Sequence, residues 1–355
     1  MFLDNRSDRA SESPPANAPT DPRERLLEGY RAMMLIRHFD GKAINLQRTG
    51  ELGTYASCLG AEAIAVAAGL ALNADDLFVP YYRDHATLYL RGVPLENLLQ
   101  YWGGDERGNR FPEHSAAAHD LPYCVPIATQ LTQAAGVATA VKLRHQRAAV
   151  LVVCGDGATS RGDFYETLNV AGVWQLPLVI LINNNQWAIS VPTRLQTACQ
   201  PLSDKARAGG LPGEQVDGND LEALLETLDR ALDRARSGKG ATLVEAVSYR
   251  LGDHTTADDA SRYRKASELH QAWQREPIRR LRERLSAAGH WDADQETAWQ
   301  QQCEQKVDEA IARYRAIPPA PATDMIDYLY TKLPAALRPQ RAALAATQRQ
   351  GGHHG

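Results

Sequence analysis

The sequence predicts an α/β fold in which a parallel sheet is flanked by helices. The clearest sign is a strand, loop, helix and strand in succession over residues 147–190, where two apolar runs enclose a helical stretch. A right-handed crossover of this kind joins parallel strands and covers the sheet with helices. Composition agrees, because 44% of the 355 residues are hydrophobic and 23% are charged, which suits a sizeable core.

The ordered part of the chain is predicted to begin with a helix near Asp21. Residues 1–20 are rich in Ser, Pro, Asn and Arg without apolar periodicity, so we expect a disordered N-terminal arm. Asp21 then suits the N-cap, Pro22 the first helical position, and Glu24 the acidic position of a capping box. A second helix is predicted over 60–72, where small apolar residues dominate.

Four apolar runs of strand length follow. They predict strands over 77–80, 149–154, 178–182 and 242–248. The helix between the second and third runs is expected over about 163–173. Long charged amphipathic helices are predicted over 266–287 and 294–316. Because no repeat and no second core is evident, we expect one domain over 21–335, followed by a flexible tail over 336–355.

Charge and hydropathy exclude several classes of protein. Thirty-nine Lys and Arg residues against 43 Asp and Glu give a net charge of -4, which argues against a nucleic-acid partner. The longest apolar runs are far shorter than the roughly 20 residues of a membrane helix, so no membrane is expected. The N-terminus has no apolar signal segment, and we therefore expect a cytoplasmic protein. Five scattered cysteines without a C-x-x-C pair indicate reduced thiols rather than a disulfide framework or a structural zinc site.

A candidate binding site lies at the ends of two predicted strands. Gly155-Asp156-Gly157 follows the second strand, where glycine lets backbone amides approach a bound group closely. The following helix favours an anion such as a diphosphate, but the Asp156 carboxylate would repel it. A magnesium ion between them resolves this conflict. The Asn run 183–185 ends the next strand and supplies neutral oxygen ligands at the same edge.

Two other interpretations of these motifs compete with a cofactor site. Taken singly, the Gly-Asp-Gly could be an ordinary turn and the Asn run an ordinary cap. A nicotinamide-binding fingerprint needs a third glycine or alanine where Ser160 stands, and an acidic residue where the Asn run stands. Because both requirements fail, a nicotinamide oxidoreductase is disfavoured.

The chain also resembles a known family. Gly155-Asp156-Gly157 followed by Asn184-Asn185 is similar to the thiamine diphosphate motif, and the surrounding sequence resembles the alpha subunit of the first component of 2-oxo acid dehydrogenases. The resemblance extends from Tyr30 to about Leu285. Six further blocks carry it: Gly53-Thr54-Tyr55, Tyr82-Arg83-Asp84-His85, Tyr101-Trp102-Gly103-Gly104-Asp105-Glu106-Arg107-Gly108, Val125-Pro126-Ile127-Ala128-Thr129-Gln130, Asn184-Asn185-Gln186-Trp187-Ala188-Ile189-Ser190 and His254-Thr255-Thr256-Ala257-Asp258-Asp259.

The resemblance implies a thiamine diphosphate-binding fold with a magnesium and diphosphate site. Asp156 and the side chain of Asn185 would be Mg²⁺ ligands, with the backbone carbonyl of Trp187 as a third. Gly155, Gly157 and Ala158 would face the diphosphate of thiamine diphosphate.

The resemblance implies roles for four more residues. Tyr82 and Arg83 would contact the diphosphate, because a planar guanidinium can donate charge-assisted hydrogen bonds to phosphate oxygens. A surface ion pair with Asp84 is the alternative for Arg83. Ile127 would support the bent shape of the cofactor, and an ordinary core isoleucine is the alternative. His254 would contact the reaction intermediate and assist transfer to a lipoyl group. Its loop is rich in Asp and Thr, so we expect it near the surface and able to titrate near neutral pH.

The implied activity is oxidative decarboxylation of a 2-oxo acid with transfer of the acyl group to the lipoyl-bearing acyltransferase that forms the second component. A beta subunit would complete the site in an α2β2 heterotetramer, and the chain alone should be inactive. We favour pyruvate as the substrate. A branched-chain 2-oxo acid is the alternative, because 253–260 lacks a glycine that pyruvate-type chains often carry; an acetoin dehydrogenase subunit and a non-catalytic scaffold are weaker alternatives.

Overall fold

The computed structural model describes residues 21–350, so the predicted arm over 1–20 and the end of the predicted tail lie outside the described residues. Five strands form one parallel sheet in the order β1-β2-β3-β7-β6, and two more form a small antiparallel hairpin, β4-β5. This confirms the predicted fold class. Within the described residues the strands are β1 Leu77–Val79, β2 Val150–Gly155, β3 Leu178–Asn184, β4 Trp187–Ala188, β5 Val191–Pro192, β6 Gly213–Asp217 and β7 Thr242–Val247.

Helices flank this sheet. The first begins where the sequence predicted, since the Asp21 side chain accepts a hydrogen bond from the backbone N–H of Arg23 at 3.0 Å and Pro22 occupies the first helical position. No helix in the described part of the chain combines the length and apolarity needed to cross a membrane. The described α-helices are α1 Pro22–Arg48, α2 Glu62–Ala71, α3 His85–Leu90, α4 Leu95–Trp102, α5 Thr129–Leu143, α6 Gly162–Val173, α7 Thr193–Gln196, α8 Leu221–Arg236, α9 Ala266–Trp273, α10 Pro277–Ala287, α11 Ala293–Arg315, α12 Asp324–Asp327 and α13 Arg338–Gln350.

The central strands are buried on both faces, as expected of a parallel sheet covered by helices. Val150, Val152 and Cys154 of β2 pack into one apolar cluster with residues of α5 and α6. The intervening Leu151 and Val153 are equally buried. Because successive side chains of a strand point to opposite faces, both faces of β2 lie in the core.

Two elements differ from the sequence prediction. The single helix predicted over 266–287 is two helices, α9 and α10, because Pro277 starts a new helix whose N-cap is Glu276. The Glu276 carboxylate accepts hydrogen bonds from the N–H groups of Ile278 at 3.2 Å and Arg279 at 2.6 Å. Strand β6 was not predicted, because Gly213–Asp217 carries few apolar residues and lies at the edge of the sheet.

The described residues divide into two compact units, with the boundary between Ile311 and Ala312. The division falls inside the domain predicted over 21–335, whose bounds stay a prediction. In the second unit, Arg341 of α13 forms an ion pair with Asp327 of α12. Helix α13 covers most of the segment predicted to be a flexible tail, and its Ala, Arg and Gln residues are good helix formers.

Candidate functional site

All ten residues predicted to bind the cofactor or metal line one cavity of about 210 Å³. The cavity lies at the carboxyl ends of β2 and β3, where the parallel register places Gly155 beside Asn183. This is the edge at which open parallel sheets bind ligands. The predicted residues in its lining are Tyr82, Arg83, Ile127, Gly155, Asp156, Gly157, Ala158, Asn185, Trp187 and His254.

Asp156 is a buried carboxylate without an ion-pair partner among the described residues. It starts a 3₁₀ turn, Asp156–Ser160, directly after β2, and its side chain is 1% exposed. The Thr193 hydroxyl donates a hydrogen bond to its Oδ2 at 3.2 Å. Burial raises the pKa of Asp156 to about 6. A cation bound at this carboxylate would offset the cost of burying its charge.

Two neutral oxygen groups follow the end of β3. Asn185 is buried, and its Oδ1 accepts a hydrogen bond from the backbone N–H of Trp187 at 3.1 Å. The carbonyl oxygen of Trp187 accepts a hydrogen bond from Arg250 Nη1 at 3.2 Å. Each of these oxygens has two lone pairs and therefore retains one for a further ligand.

This donor set suits a hard cation. The described residues include no cluster of three or more His, Cys, Asp and Glu side chains that could hold a metal ion. One carboxylate with neutral oxygens is the set that Mg²⁺ takes when phosphate oxygens complete its shell.

The two glycines beside Asp156 have different surroundings. A Cβ added to Gly155 would meet no heavy atom within 4 Å, so this position borders open space. A Cβ added to Gly157 would approach the Cβ of Ala188 to 3.0 Å, which is tighter than nearly all real contacts. A side chain at position 157 would therefore require the β4-β5 hairpin to shift by a few tenths of an ångström.

Arg83 supplies a buried positive charge to the cavity. Its side chain is almost wholly buried, and its guanidinium donates hydrogen bonds to the carbonyl oxygens of Ser57 and, at 2.6 Å, His254. It also lies 5.1 Å from the centre of the Tyr82 ring. The alternative of a surface ion pair with Asp84 is wrong, because Arg83 is buried and Asp84 accepts a hydrogen bond from the N–H of Tyr81 instead. A buried guanidinium held by neutral carbonyls can still bind an anion such as a diphosphate.

His254 is half-buried beside this guanidinium. Its Nδ1 lies 3.0 Å from Nη2 of Arg83, and since a guanidinium can only donate, Nδ1 must accept and the ring proton must be on Nε2. Burial, with the charges of Arg83 and Arg250, lowers the pKa of His254 to about 4. The expectation of a surface histidine that titrates near neutral pH is therefore wrong, and the imidazole is neutral at pH 7.

Ile127 forms an apolar wall of the cavity. The loop that carries it is brought to the site by a parallel bridge between Tyr81 and Cys124, and Ala128, with a φ of 72°, turns the chain into α5. Ile127 is 44% exposed, so the alternative of an ordinary core isoleucine is wrong. An exposed apolar side chain in a binding cavity is suited to contact an apolar part of a ligand.

Two residues of the site were not predicted from the sequence. Thr193 reaches Asp156 from the far end of the β4-β5 hairpin. Arg250 follows β7, where its guanidinium donates to the carbonyl oxygens of Trp187 and Ile189 and to the Tyr263 hydroxyl. Arg250 could have been found from the sequence, because it is one of the polar residues that follow the strand predicted over 242–248. Thr193 is an isolated threonine after a proline, and no sequence pattern marks it.

Comparison with known proteins identifies the family. The sequence model of the dehydrogenase E1 component family matches residues 30–322. A protein of Acholeplasma laidlawii named pyruvate dehydrogenase E1 component subunit alpha is 41% identical over 279 residues, which are 78% of this chain and 80% of its own. Proteins of the same name from Mycoplasma genitalium and Staphylococcus aureus are 38% and 37% identical, over 87% and 89% of this chain and 86% and 85% of their own. The chain therefore belongs to the dehydrogenase E1 component family, which implies the use of thiamine diphosphate.

Proposed function

We propose that the chain is the alpha subunit of a pyruvate dehydrogenase first component, acting in the cytoplasm. It would decarboxylate pyruvate and pass the acetyl group to a lipoyl group of an acyltransferase second component. The observation that carries this proposal is the single cavity lined by all ten predicted residues. The names of the relatives favour pyruvate over a branched-chain 2-oxo acid.

The metal and the diphosphate would occupy adjoining parts of this cavity. The Asp156 carboxylate, the Asn185 amide oxygen and the Trp187 carbonyl would hold Mg²⁺, whose charge compensates the buried carboxylate. Arg83 and Tyr82 would bind the diphosphate, and the open backbone at Gly155 would let it approach. When bound, thiamine diphosphate supplies the electron sink for decarboxylation.

The apolar end of the cavity supports the proposed partner subunit. Ile127 is 44% and Ile189 54% exposed, and both line the cavity, which leaves apolar surface open to water. We infer that a beta subunit covers this side in an α2β2 heterotetramer and thereby excludes water. His254, neutral with its proton on Nε2, would donate a hydrogen bond toward the bound acyl group and assist its transfer to the lipoyl group.

The test is decarboxylation with an artificial electron acceptor by the chain co-purified with its beta subunit, with thiamine diphosphate and Mg²⁺. Pyruvate and 2-oxoisovalerate are compared, and the chain alone is the control. Faster turnover of pyruvate by the complex, and none by the chain alone, is the expected result. Preference for 2-oxoisovalerate would mean that the substrate is a branched-chain 2-oxo acid and not pyruvate. Full activity of the chain alone would refute the need for a beta subunit. No activity with either acid would refute the proposed reaction.

A further inference from the structure

Thr193 places one hydroxyl between two side-chain oxygens, one of which belongs to the proposed metal ligand Asp156. It is 8% exposed and starts α7, immediately after the β4-β5 hairpin. Its Oγ1 lies 3.2 Å from Oδ2 of Asp156 and 3.5 Å from Oδ1 of Asn184. The hydroxyl thus connects the ends of β2 and β3.

The neighbouring contacts decide where the Thr193 proton points. Asn184 Nδ2 donates to Oε1 of the buried Glu245 at 2.7 Å, and Asn184 Oδ1 accepts from the N–H of Gln186 at 3.1 Å. The Asn184 amide is therefore fixed with its oxygen toward Thr193. Both neighbours of the hydroxyl are acceptors, and its one proton goes to the closer, charged one, Asp156.

The backbone holds this hydroxyl in place. The N–H of Thr193 donates to the carbonyl oxygen of Gln186 at 3.1 Å, which closes the hairpin. A β-branched side chain also has restricted χ1 rotation. The position of Oγ1 relative to Asp156 is thus set by the hairpin rather than by a freely rotating side chain.

We propose that Thr193 is a positioning residue for the metal site. Its hydroxyl donates a hydrogen bond to Oδ2 of Asp156 and so fixes the rotation of the carboxylate, which leaves Oδ1 to bind Mg²⁺. This inference rests on the proposed function, because it assigns Asp156 as a Mg²⁺ ligand. Loss of a group that orients a metal ligand commonly weakens metal affinity by about 10-fold to 100-fold.

The test measures metal affinity separately from activity. Mg²⁺ is titrated into the metal-free complex of the chain with its beta subunit at fixed thiamine diphosphate, and cofactor affinity is measured independently in EDTA. The variants are Thr193→Val and Thr193→Ala, which lack the hydroxyl, and Thr193→Ser, which retains it. Thr167→Val is the matched control, since Thr167 is also buried but its hydroxyl donates to the Asp163 carbonyl in α6.

We expect Thr193→Val and Thr193→Ala to weaken Mg²⁺ binding by about 10-fold or more. Thr193→Ser and the Thr167→Val control should bind Mg²⁺ as wild type does. In EDTA, all variants should bind thiamine diphosphate with wild-type affinity. Wild-type Mg²⁺ affinity in the hydroxyl-free variants would overturn the inference. So would an equal loss of affinity in EDTA, which indicates a purely structural role. If the wild-type complex itself shows no Mg²⁺-dependent cofactor binding, the proposed function fails and this inference fails with it.

Discussion

Replacing Asp156 with Asn should remove a loss of stability that the metal-free protein suffers as the pH rises, and should abolish Mg²⁺-dependent binding of thiamine diphosphate. Asp156 is 1% exposed, and this burial is the main reason why the pKa of its carboxyl group rises from 3.8 to about 6. Asn has nearly the same shape and still accepts the Thr193 hydrogen bond, but it carries no charge. The variant therefore removes the buried charge and leaves the packing in place.

The difference in pKa sets the size of the effect. The folded protein holds the Asp156 proton more tightly than the unfolded chain, so the folded state is penalised as the pH rises from about 4 to about 7. A shift of about two units at about 1.4 kcal/mol each gives a penalty of about 3 kcal/mol above pH 7, most of which is absent near pH 4. An unpaired amide N–H in the variant costs about 1–3 kcal/mol, but this cost does not depend on pH.

The assay is therefore the pH dependence of the difference between the two proteins. The free energy of unfolding by urea is measured in EDTA between pH 4.5 and pH 8 for wild type, Asp156→Asn and the exposed-site control Asp75→Asn. The stability of Asp156→Asn relative to wild type should rise by about 2 kcal/mol or more across this range, and that of the control should not. A difference that stays constant with pH would refute the argument that the buried charge of Asp156 destabilises the metal-free fold.

Three further predictions concern the cavity wall. Arg83→Lys should weaken thiamine diphosphate binding by about 10-fold or more in calorimetry, because an ammonium cannot contact the Ser57 and His254 carbonyls and a diphosphate together; unchanged affinity would contradict this role. Ile127→Ala should lower turnover but change the free energy of unfolding by less than about 1 kcal/mol, against about 2–5 kcal/mol for a core isoleucine, as urea unfolding can check. The His254 imidazole should titrate with a pKa of about 4 by NMR, and the His254-dependent rate of acyl transfer to a lipoyl acceptor should show no inflection near pH 6.5; such an inflection would contradict the neutral-imidazole assignment.

The parts of the fold and site that depend on contiguous residues could be predicted from the sequence. The apolar runs of β2 and β3 are long enough to be recognised as strands, and each is followed by residues that suit a ligand. The parallel register pairs Gly155 with Asn183, so the two motifs meet at one edge, as the crossover required. Tyr82 and Arg83 follow another predicted strand, and the resemblance to a known family then gave them a role in binding the diphosphate.

The remaining features depend on residues that are distant in sequence. The pKa of His254 is lowered by burial and by Arg83, which lies 171 positions earlier, so the polar composition of its own loop was misleading. The hydrogen bond from Thr193 to Asp156 crosses a hairpin that has only two residues in each strand. Pairings of this kind are created by the tertiary fold and leave no periodic pattern in the sequence.

The cavity keeps two opposite charges apart although a direct ion pair would satisfy both. Arg83 is held by the carbonyl oxygens of Ser57 and His254, and Asp156 by a threonine hydroxyl, and no ion pair in the described residues joins them. Such a pair would offset part of the cost of burial but would leave neither charge free for a ligand. Neutral hydrogen-bond partners orient each charge without neutralising it, so that Mg²⁺ and a diphosphate can supply the missing counter-charges. Binding should then return the free energy lost by burying both groups, so the free energy of unfolding should rise with the concentrations of cofactor and metal.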